Sequence, residues 1–378
     1  MDKNSTATPP VRASLGDGRE LLYFFDNSER PAGFIAPTDD RELSLRPPTS
    51  ELRYDALSGE WVSFAAHRQS RTHLPAASEC PLCPTRAQMA SEIPADTYDV
   101  VVFENRFPSF GPEQHVSDVP AVLGAVRPAD GRCEVIAFGP SHTDSLASLG
   151  VRRIRTVIEA WAHRTRELGQ LEGIEQVFAF ENRGAEIGVT LHHPHGQIYA
   201  YPYTTPRTEN QLERAAAHRA RTGHQLMADV LDFEVADGRR VLERGTHFTT
   251  FVPFAAHMPI EVHLVPHRQV ADLSELNGEE RDELARMYHR LLSTVDALYP
   301  TPTPYIAGWF QAPTRHPHRS EAWLHLQLTS PRRAENKLKY LAGSEAAMGA
   351  FIGDVTPEST AAALRTAMAT LPPEVLTK

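Results

Sequence analysis

The chain has 378 residues, a formal net charge of −10 and an isoelectric point near 6.0. This length is sufficient for two domains of ordinary size, or for two fused copies of one domain. Lys and Arg do not concentrate in a stripe, which argues against a nucleic-acid surface, and no apolar run approaches the length of a membrane span.

Residues 1–50 are rich in Pro, Arg and Asp, and we expect an irregular N-terminal extension that carries at most a short hairpin around residues 21–25. The first ten residues are polar and lack the apolar centre of a signal peptide. Together with a cysteine count of three, too few for a disulfide framework, this composition predicts a cytoplasmic protein that does not bind membranes. Residues 53–64 then predict two strands joined by a turn at Ser58-Gly59.

Cys80-Pro81-Leu82-Cys83 places two thiols three positions apart, which matches half of a tetrahedral zinc site. The same spacing also occurs in redox pairs, but no strand-helix-strand pattern surrounds it, and the only other cysteine is Cys133. A zinc site would need two further ligands, for which His142 and His193 are the candidates.

Apolar residues recur at helical spacing between positions 144 and 168, which predicts the first long helix. Residues 176–180 and 198–201 predict two short apolar strands, and the connection between them is rich in glycine. We expect these strands to form a hairpin that carries the functional site on the edge of a sheet.

His193-Pro194-His195-Gly196-Gln197 lies between these two strands and is the most informative motif of the chain. In an extended segment the two imidazoles would point to the same side, so one can face a metal and the other a substrate only where the strand ends or turns. We expect Gly196 to supply that freedom and to let a phosphate approach the backbone.

This motif and the segment before it, residues 180–192, resemble the galactose-1-phosphate uridylyltransferase family, a branch of the histidine-triad superfamily that has Gln where the hydrolases have a third His. The resemblance covers about residues 50–370. It implies that His195 is the catalytic nucleophile and that Gln197 hydrogen-bonds the phosphoryl oxygens. It also implies a zinc-binding His at position 142, so that Cys80, Cys83, His142 and His193 would form a closed, structural zinc site.

The resemblance further implies which residues bind the substrate. Arg68 and Arg71 match a pair that faces the diphosphate, a role for which Arg is suited by its bidentate hydrogen bonding. Asn105 and Phe107 match the uridine pocket, although Arg106 replaces an Asp of familiar members. Asn182, Gly188 and Thr190 would complete the phosphate-side wall. Lys339 and Glu345 belong to a C-terminal loop that would reach the sugar in the partner subunit of a homodimer.

A sequence pattern that occurs twice in the chain predicts an internal duplication. Residues 259–267 followed by 271–276 repeat the pattern of residues 132–141 followed by 144–149, and each leads into a long amphipathic helix, the second over about 278–298. We therefore predict an α+β fold of tandem duplicated histidine-triad-like units, mostly antiparallel sheet with flanking helices. The catalytic unit with its zinc site would span residues 51–230, and the second unit with the substrate loop would span 231–378.

The second unit has lost the paired imidazoles, since its counterpart of the motif is Trp323-Leu324-His325-Leu326-Gln327. The family often has another metal there, held by one Glu and three His. Glu209 and His325 fit that pattern, but Phe310 and Gln327 stand where His is expected, so no second metal is expected. Glu209 is then a solvated carboxylate near the start of a helix, and His325 is a core or interface histidine.

Three functional hypotheses follow. The leading one is exchange of a uridylyl group between UDP-glucose and galactose 1-phosphate in galactose metabolism, through a covalent uridylyl-histidine. The second is a related nucleotidyltransferase or phosphorylase that acts on adenine dinucleotides and differs around Asn105, Arg106 and Phe107. The third is a zinc-stabilised nucleotide-binding protein in which His195 contacts phosphate without being modified.

Overall fold

The computed structural model describes residues 8–377 except Thr72, Gln88, Ala121 and Val122, so the first seven residues of the predicted extension lie outside it. The strands are β1 Val11–Ser14, β2 Glu20–Phe24, β3 Glu51–Asp55, β4 Glu60–Phe64, β5 Val100–Glu104, β6 Val126–Pro128, β7 Arg132–Ala137, β8 Gln176–Arg183, β9 His195–Tyr201, β10 Val241–Arg244, β11 Phe248–Phe251, β12 Ile260–Pro266, β13 Tyr305–Phe310, β14 His325–Ser330, β15 Arg332–Ala334 and β16 Lys337–Leu338. The helices are α1 Gly150–Gly169, α2 Pro206–Thr222, α3 Leu226–Asp237, α4 Gly278–Asp296, α5 Gly343–Met348, α6 Pro357–Met368 and α7 Pro373–Thr377.

Eleven strands form one antiparallel sheet in the order β1-β2-β5-β7-β9-β8-β13-β14-β12-β11-β10. The order on one side of the β8–β13 pair mirrors the order on the other, so β7, β9 and β8 correspond to β12, β14 and β13. The two central strands pair antiparallel, with Ile306 opposite Asn182. The predicted α+β class with a mostly antiparallel sheet and flanking helices is confirmed.

Helices α1 and α4 occupy equivalent places in the two halves and contact each other on one face of the sheet. Buried aromatic residues meet there, since Trp161 of α1 lies 6.3 Å from Tyr288 of α4 and 6.2 Å from Trp309 of β13 between ring centroids. Apolar residues at helical spacing predicted both helices. The first begins at Gly150 rather than near residue 144, because the side chains of Ser145 and Ser148 accept backbone N–H bonds in a turn that precedes the helix.

The hairpin expected near residues 21–25 is formed by β1 and β2, and it joins the large sheet through β5. Leu21 and Leu22 are completely buried in two different apolar clusters, so the hairpin belongs to the core. Residues 29–50 form neither strand nor helix.

The boundary proposed between residues 230 and 231 falls inside α3, and it remains a prediction. Strands β3 and β4 form the predicted strand-turn-strand, and β3 also pairs with β6, so the three make a separate sheet. Among the described helices, none combines the length and the apolar character required to span a bilayer.

Candidate active site and metal site

The candidate active site lies where β9 begins, in the interior of the large sheet rather than on its edge, since β9 is flanked by β7 and β8. Side chains alternate along this strand: His195, Gln197 and Tyr199 face a cavity, and the residues between them are buried on the helix side. The cavity has a volume of about 640 Å³, within the range of small-molecule sites. Nine of the predicted residues line it: Arg68, Arg71, Asn105, Phe107, Asn182, Gly188, Thr190, His195 and Gln197.

The ring of His195 is oriented by the backbone of the preceding motif. Its Nδ1 lies 2.7 Å from the carbonyl oxygen of His193, so Nδ1–H donates and Nε2 carries the lone pair available to a ligand. Burial lowers the pKa of His195, which favours the neutral imidazole at neutral pH. The arrangement therefore presents a neutral ring nitrogen to the cavity.

Gly196 has a different role from the one expected from the sequence. A Cβ at this position would lie 2.8 Å from the carbonyl oxygen of Phe180 and 3.0 Å from the ring of Phe138, on the face opposite His195. The glycine is therefore required for strand packing, and it does not line the cavity. The turn that separates His193 from His195 precedes residue 195, where β9 begins.

Cys80, Cys83, His142 and His193 come together beside this cavity, with their candidate ligand atoms all within 4.8 Å of one another. The Sγ of Cys83 lies 3.5 Å from Nδ1 of both histidines. Three of the four residues are buried, and the two thiols and two imidazoles form a donor set suited to a tetrahedral metal. The cluster is thus able to hold a metal ion.

The second ring nitrogen of His193 supports the same interpretation. Its Nε2 lies 2.8 Å from the carbonyl oxygen of Gly139 and 3.1 Å from the hydroxyl of Tyr98, while that hydroxyl lies 2.6 Å from the Gly139 oxygen. An Nε2–H that donates to a carbonyl leaves Nδ1 unprotonated and directed at the cysteines, as in protein metal sites. Burial lowers the pKa of His193 to about 4, which also favours the neutral ring.

Arginine and aromatic residues form the opposite wall. The guanidinium of Arg68 donates to the carbonyl oxygen of Phe107 at 2.6 Å, and Asn105 Oδ1 accepts from the backbone N–H of Phe107 at 2.8 Å. These bonds fix the loop that follows β5. Arg71 is exposed at the mouth of the cavity.

The segment between β8 and β9 forms the third wall, with Asn182, Gly188 and Thr190. Gly188 has a φ of +84°, a left-handed conformation that side chains rarely adopt, and it ends a short 3-10 helix. The carbonyl oxygen of Thr190 accepts from the backbone N–H of Leu74 at 2.8 Å, which ties this segment to the one that carries Arg71.

Sequence reasoning missed an ion-pair network at one end of the cavity. Glu92 lies 3.1 Å from Arg41, 2.6 Å from the buried Arg19 and 3.6 Å from Arg106, and both Arg41 and Arg106 line the cavity. The sequence carries no local sign of this network, because its members are far apart along the chain. It supplies a carboxylate and two guanidinium groups close to Asn105.

Lys339 and Glu345 do not line the cavity of their own chain. Both are buried, and Lys339 Nζ lies 3.4 Å from Glu345 Oε1. Within one chain they form an ion pair with each other.

The counterpart of the motif in the second half, residues 323–327, has a single histidine, which contacts its neighbours. The ring of Phe310 stacks on His325 at 5.1 Å, and Gln327 Nε2 lies 3.0 Å from His325 Nε2. Glu209, in the first turn of α2, lies 3.1 Å from His316 Nε2 instead. His325 is buried, as the sequence predicts for a core histidine. These residues do not fit a one-Glu, three-His metal site.

Two mirrored halves in one antiparallel sheet, with a His-x-His-x-Gln motif at the start of a central strand, define an α+β protein built from two tandem, similar units. The N-terminal domain of galactose-1-phosphate uridyl transferase matches residues 40–205, and the C-terminal domain matches residues 209–374. The chain belongs to the galactose-1-phosphate uridylyltransferase family.

Individual proteins of this family are similar to the chain over most of its length. A galactose-1-phosphate uridylyltransferase of Streptomyces lividans is 45% identical over 335 residues, which is 85% of this chain and 88% of the relative. The protein of the same name from Thermotoga maritima is 36% identical and covers 83% of this chain and 98% of the relative. A solved uridylyltransferase structure is similar with a TM-score of 0.76 and 31% identity, covering 85% of this chain and all of the other.

Proposed function

We propose that the chain exchanges a uridylyl group between UDP-glucose and galactose 1-phosphate, in galactose metabolism, through a covalent uridylyl-His195. Family membership supports the overall reaction. The single observation that carries the covalent route is the 2.7 Å bond from His195 Nδ1 to the His193 carbonyl oxygen, which leaves Nε2 as a neutral nucleophile facing the cavity.

In the first half-reaction Nε2 attacks the α-phosphorus of UDP-glucose. The P–N bond forms as the P–O bond to glucose 1-phosphate breaks, and the electron pair leaves with that phosphate. In the second, a phosphate oxygen of galactose 1-phosphate attacks the same phosphorus, and the P–N bond breaks to restore neutral His195. A phosphate monoester is a good leaving group and a good nucleophile near neutral pH, so neither step needs a strong general acid or base.

Gln197 follows His195 on the same face of β9 and would hydrogen-bond the phosphoryl oxygens. An amide cannot protonate a poor leaving group or activate water as a third His would. This limitation favours transfer to a phosphate acceptor over hydrolysis.

The other walls of the cavity fit the remaining parts of the substrate. Arg68 and Arg71 would bind the diphosphate, and Asn182, Gly188 and Thr190 would complete the phosphate-side wall. Asn105 and Phe107 would contact the uridine. Arg106 stands where familiar members have Asp, so we infer that Glu92, held by Arg41 and Arg19, supplies the carboxylate available to the ribose hydroxyls.

We propose that the Cys80, Cys83, His142 and His193 cluster holds one zinc ion. Four protein ligands leave no position for water, so the ion would be structural and would take no part in either half-reaction. His193 would then connect the metal site to the nucleophile, because its backbone carbonyl holds the His195 ring.

We propose a cytoplasmic homodimer in which Lys339 and Glu345 approach the hexose in the cavity of the partner subunit. Tyr340 and Leu341 lie between them in sequence and are 75% and 47% exposed, which is consistent with a surface that a second subunit covers. Sedimentation of the purified protein, before and after Tyr340→Glu and Leu341→Glu substitution, tests the subunit arrangement.

The covalent route is tested by incubating the protein with UDP-glucose and no acceptor, followed by mass spectrometry of the intact chain and of its peptides. We expect a uridylyl adduct on His195, and none in a His195→Gly protein. Normal exchange activity of His195→Gly without added imidazole would overturn the nucleophile assignment. A parallel incubation with ADP-glucose separates the hypotheses, since a faster adenylyl adduct would favour the adenine-specific alternative.

A further inference from the structure

A second cavity lies in the C-terminal half, at the place in the duplicated fold that corresponds to the candidate active site. It has a volume of about 540 Å³, comparable to the first, and it lies between β14 and the helices α2 and α3. Neither half-reaction of the proposed function uses it. Its volume falls within the range of sites for small organic molecules.

The floor of this second cavity resembles that of the first, but it is not built for covalent chemistry. His325 Nδ1 lies 2.8 Å from the carbonyl oxygen of Trp323, two residues earlier, as His195 Nδ1 does from His193. The amide of Gln327 occupies the other ring nitrogen, at 3.0 Å, and Phe310 covers one face of the ring. With both nitrogens engaged, His325 has no free lone pair for a substrate, so the cavity is suited to binding alone.

The walls are largely apolar. Two of the lining aromatic residues, Phe233 and Phe254, are 51% and 65% exposed and contact each other edge to face at 5.9 Å. The remaining apolar lining comes mainly from α2, α3 and the segment before β14, through Leu212, Ala215, Leu226, Met227, Val230 and Trp323. Such a wall favours a ligand with an apolar body.

The three carboxylates of the lining each lie close to a basic group. Glu234 is paired with Arg240 at 2.8 Å, Glu261 with His263 at 3.1 Å, and Glu321 lies 3.8 Å from Arg219. In the part of the chain that the structure describes, Arg207 and Arg214 have no carboxylate within 4.0 Å.

Arg207 is the cation best placed to bind a ligand. It donates to Gln327 Oε1, and its guanidinium lies over the Phe310 ring at 4.7 Å, which fixes the group at the cavity. A guanidinium has five N–H donors, so several remain for an acidic group.

We propose that this cavity binds a small amphipathic anion, with its apolar body between α2 and α3 and its carboxylate, sulfonate or phosphate group on Arg207. The site is separate from the catalytic cavity and does not depend on the proposed reaction.

Titration of the full-length, zinc-loaded protein with 1-anilinonaphthalene-8-sulfonate tests the proposal, because this probe is an aromatic anion whose fluorescence rises on binding. We expect one saturable site per chain that remains available with saturating UDP-glucose. Decanoate should displace the probe at a concentration at least about tenfold lower than decanol, since only the acid can pair with a guanidinium. Displacement by UDP-glucose, or equal displacement by decanoate and decanol, would overturn the proposal.

Variants identify the site. Arg207→Ala should weaken probe binding about tenfold or more, whereas Arg221→Ala, which removes a matched arginine from the same helix outside the cavity, should leave it unchanged. Ala215→Trp should abolish binding by filling the cavity. An equal effect of Arg207→Ala and Arg221→Ala would contradict the assignment. If Ala215→Trp impairs folding, as seen from its melting temperature, the two arginine variants still decide the question.

Discussion

The carbonyl oxygen of His193 accepts a 2.7 Å hydrogen bond from Nδ1 of His195, while the imidazole of His193 lies 3.5 Å from the thiol of Cys83. One residue therefore belongs to the metal-binding cluster through its side chain and orients the proposed nucleophile through its backbone. This relationship explains why two histidines only two positions apart serve different purposes. It also couples the order of the metal site to the position of the reacting ring.

Replacing Cys83 with Ser should lower bound metal and stability together, because metal binding to such a site is coupled to folding. If zinc normally exceeds its dissociation constant a thousandfold, the loss is about 4 kcal/mol in the free energy of unfolding. Metal analysis and denaturant unfolding measure both effects. Cys133→Ala is the control, since Cys133 is buried outside the cluster. Full metal occupancy in Cys83→Ser would remove Cys83 from the ligand set.

Gln197→Ala should slow exchange but still allow the uridylyl adduct to form. The loss of one hydrogen bond to a charged phosphoryl oxygen costs roughly 1.5–3 kcal/mol, or about ten- to a hundredfold in rate. Gln197→His should raise hydrolysis relative to exchange, since it restores a group able to activate water. Rates of uridylyl exchange and of UMP release, measured side by side, check both variants. An unchanged exchange rate in Gln197→Ala would argue against the phosphoryl contact.

Gly196→Ala should destabilise the protein by about 1–3 kcal/mol and reduce exchange, although the side chain at this position does not face the cavity. The added methyl group would meet the backbone oxygen of Phe180 at 2.8 Å, so β9 must shift and carry His195 with it. Gly353→Ala provides the control, because its methyl would make only an ordinary contact, at 3.8 Å from the carbonyl oxygen of Val355. Melting temperature and exchange rate are the measurements, and an unaltered Gly196→Ala protein would contradict the packing argument.

The sequence predicts best those features that depend on local spacing. The two thiols at positions 80 and 83 and the motif around His195 are each contained within five residues, and their residue types specify the chemistry. The duplication was visible because each copy repeats the same strand and helix pattern. The two long helices followed from apolar residues at helical spacing.

Features that depend on distant partners could not be read in the same way. The pairing of Arg41 with Glu92 joins positions 51 residues apart, and nothing in either segment indicates the other. The role of Gly196 depends on the neighbouring strand β8, which brings the Phe180 oxygen close. The sequence predicts the N-terminal hairpin, but its entry into the sheet depends on pairing with β5, about 80 residues later.

Glu181 should give the protein a pH-dependent stability. It is buried beside the junction of the two halves and accepts a 3.0 Å hydrogen bond from the hydroxyl of Tyr305. Burial raises its pKa from 4.5 to about 7, against the opposing effects of Arg183 and of that hydroxyl. The folded state therefore binds this proton more tightly than the unfolded state, so the contribution to stability is greatest below pH 4.5 and is lost as pH rises to 7.

Glu181→Gln removes this titration and leaves an acceptor for the Tyr305 hydroxyl. Relative to the unsubstituted protein, its free energy of unfolding should increase between pH 5 and pH 8, by an amount that approaches roughly 3 kcal/mol for the full shift. Denaturant unfolding of both proteins at several pH values measures this difference. The other titrating groups are common to the two proteins, so their contributions cancel. Glu213→Gln, on the exposed face of α2, is the control for the loss of a carboxylate. A difference in the free energy of unfolding that stayed constant from pH 5 to pH 8 would contradict this prediction. It would mean that Glu181 has the same pKa in the folded and the unfolded state.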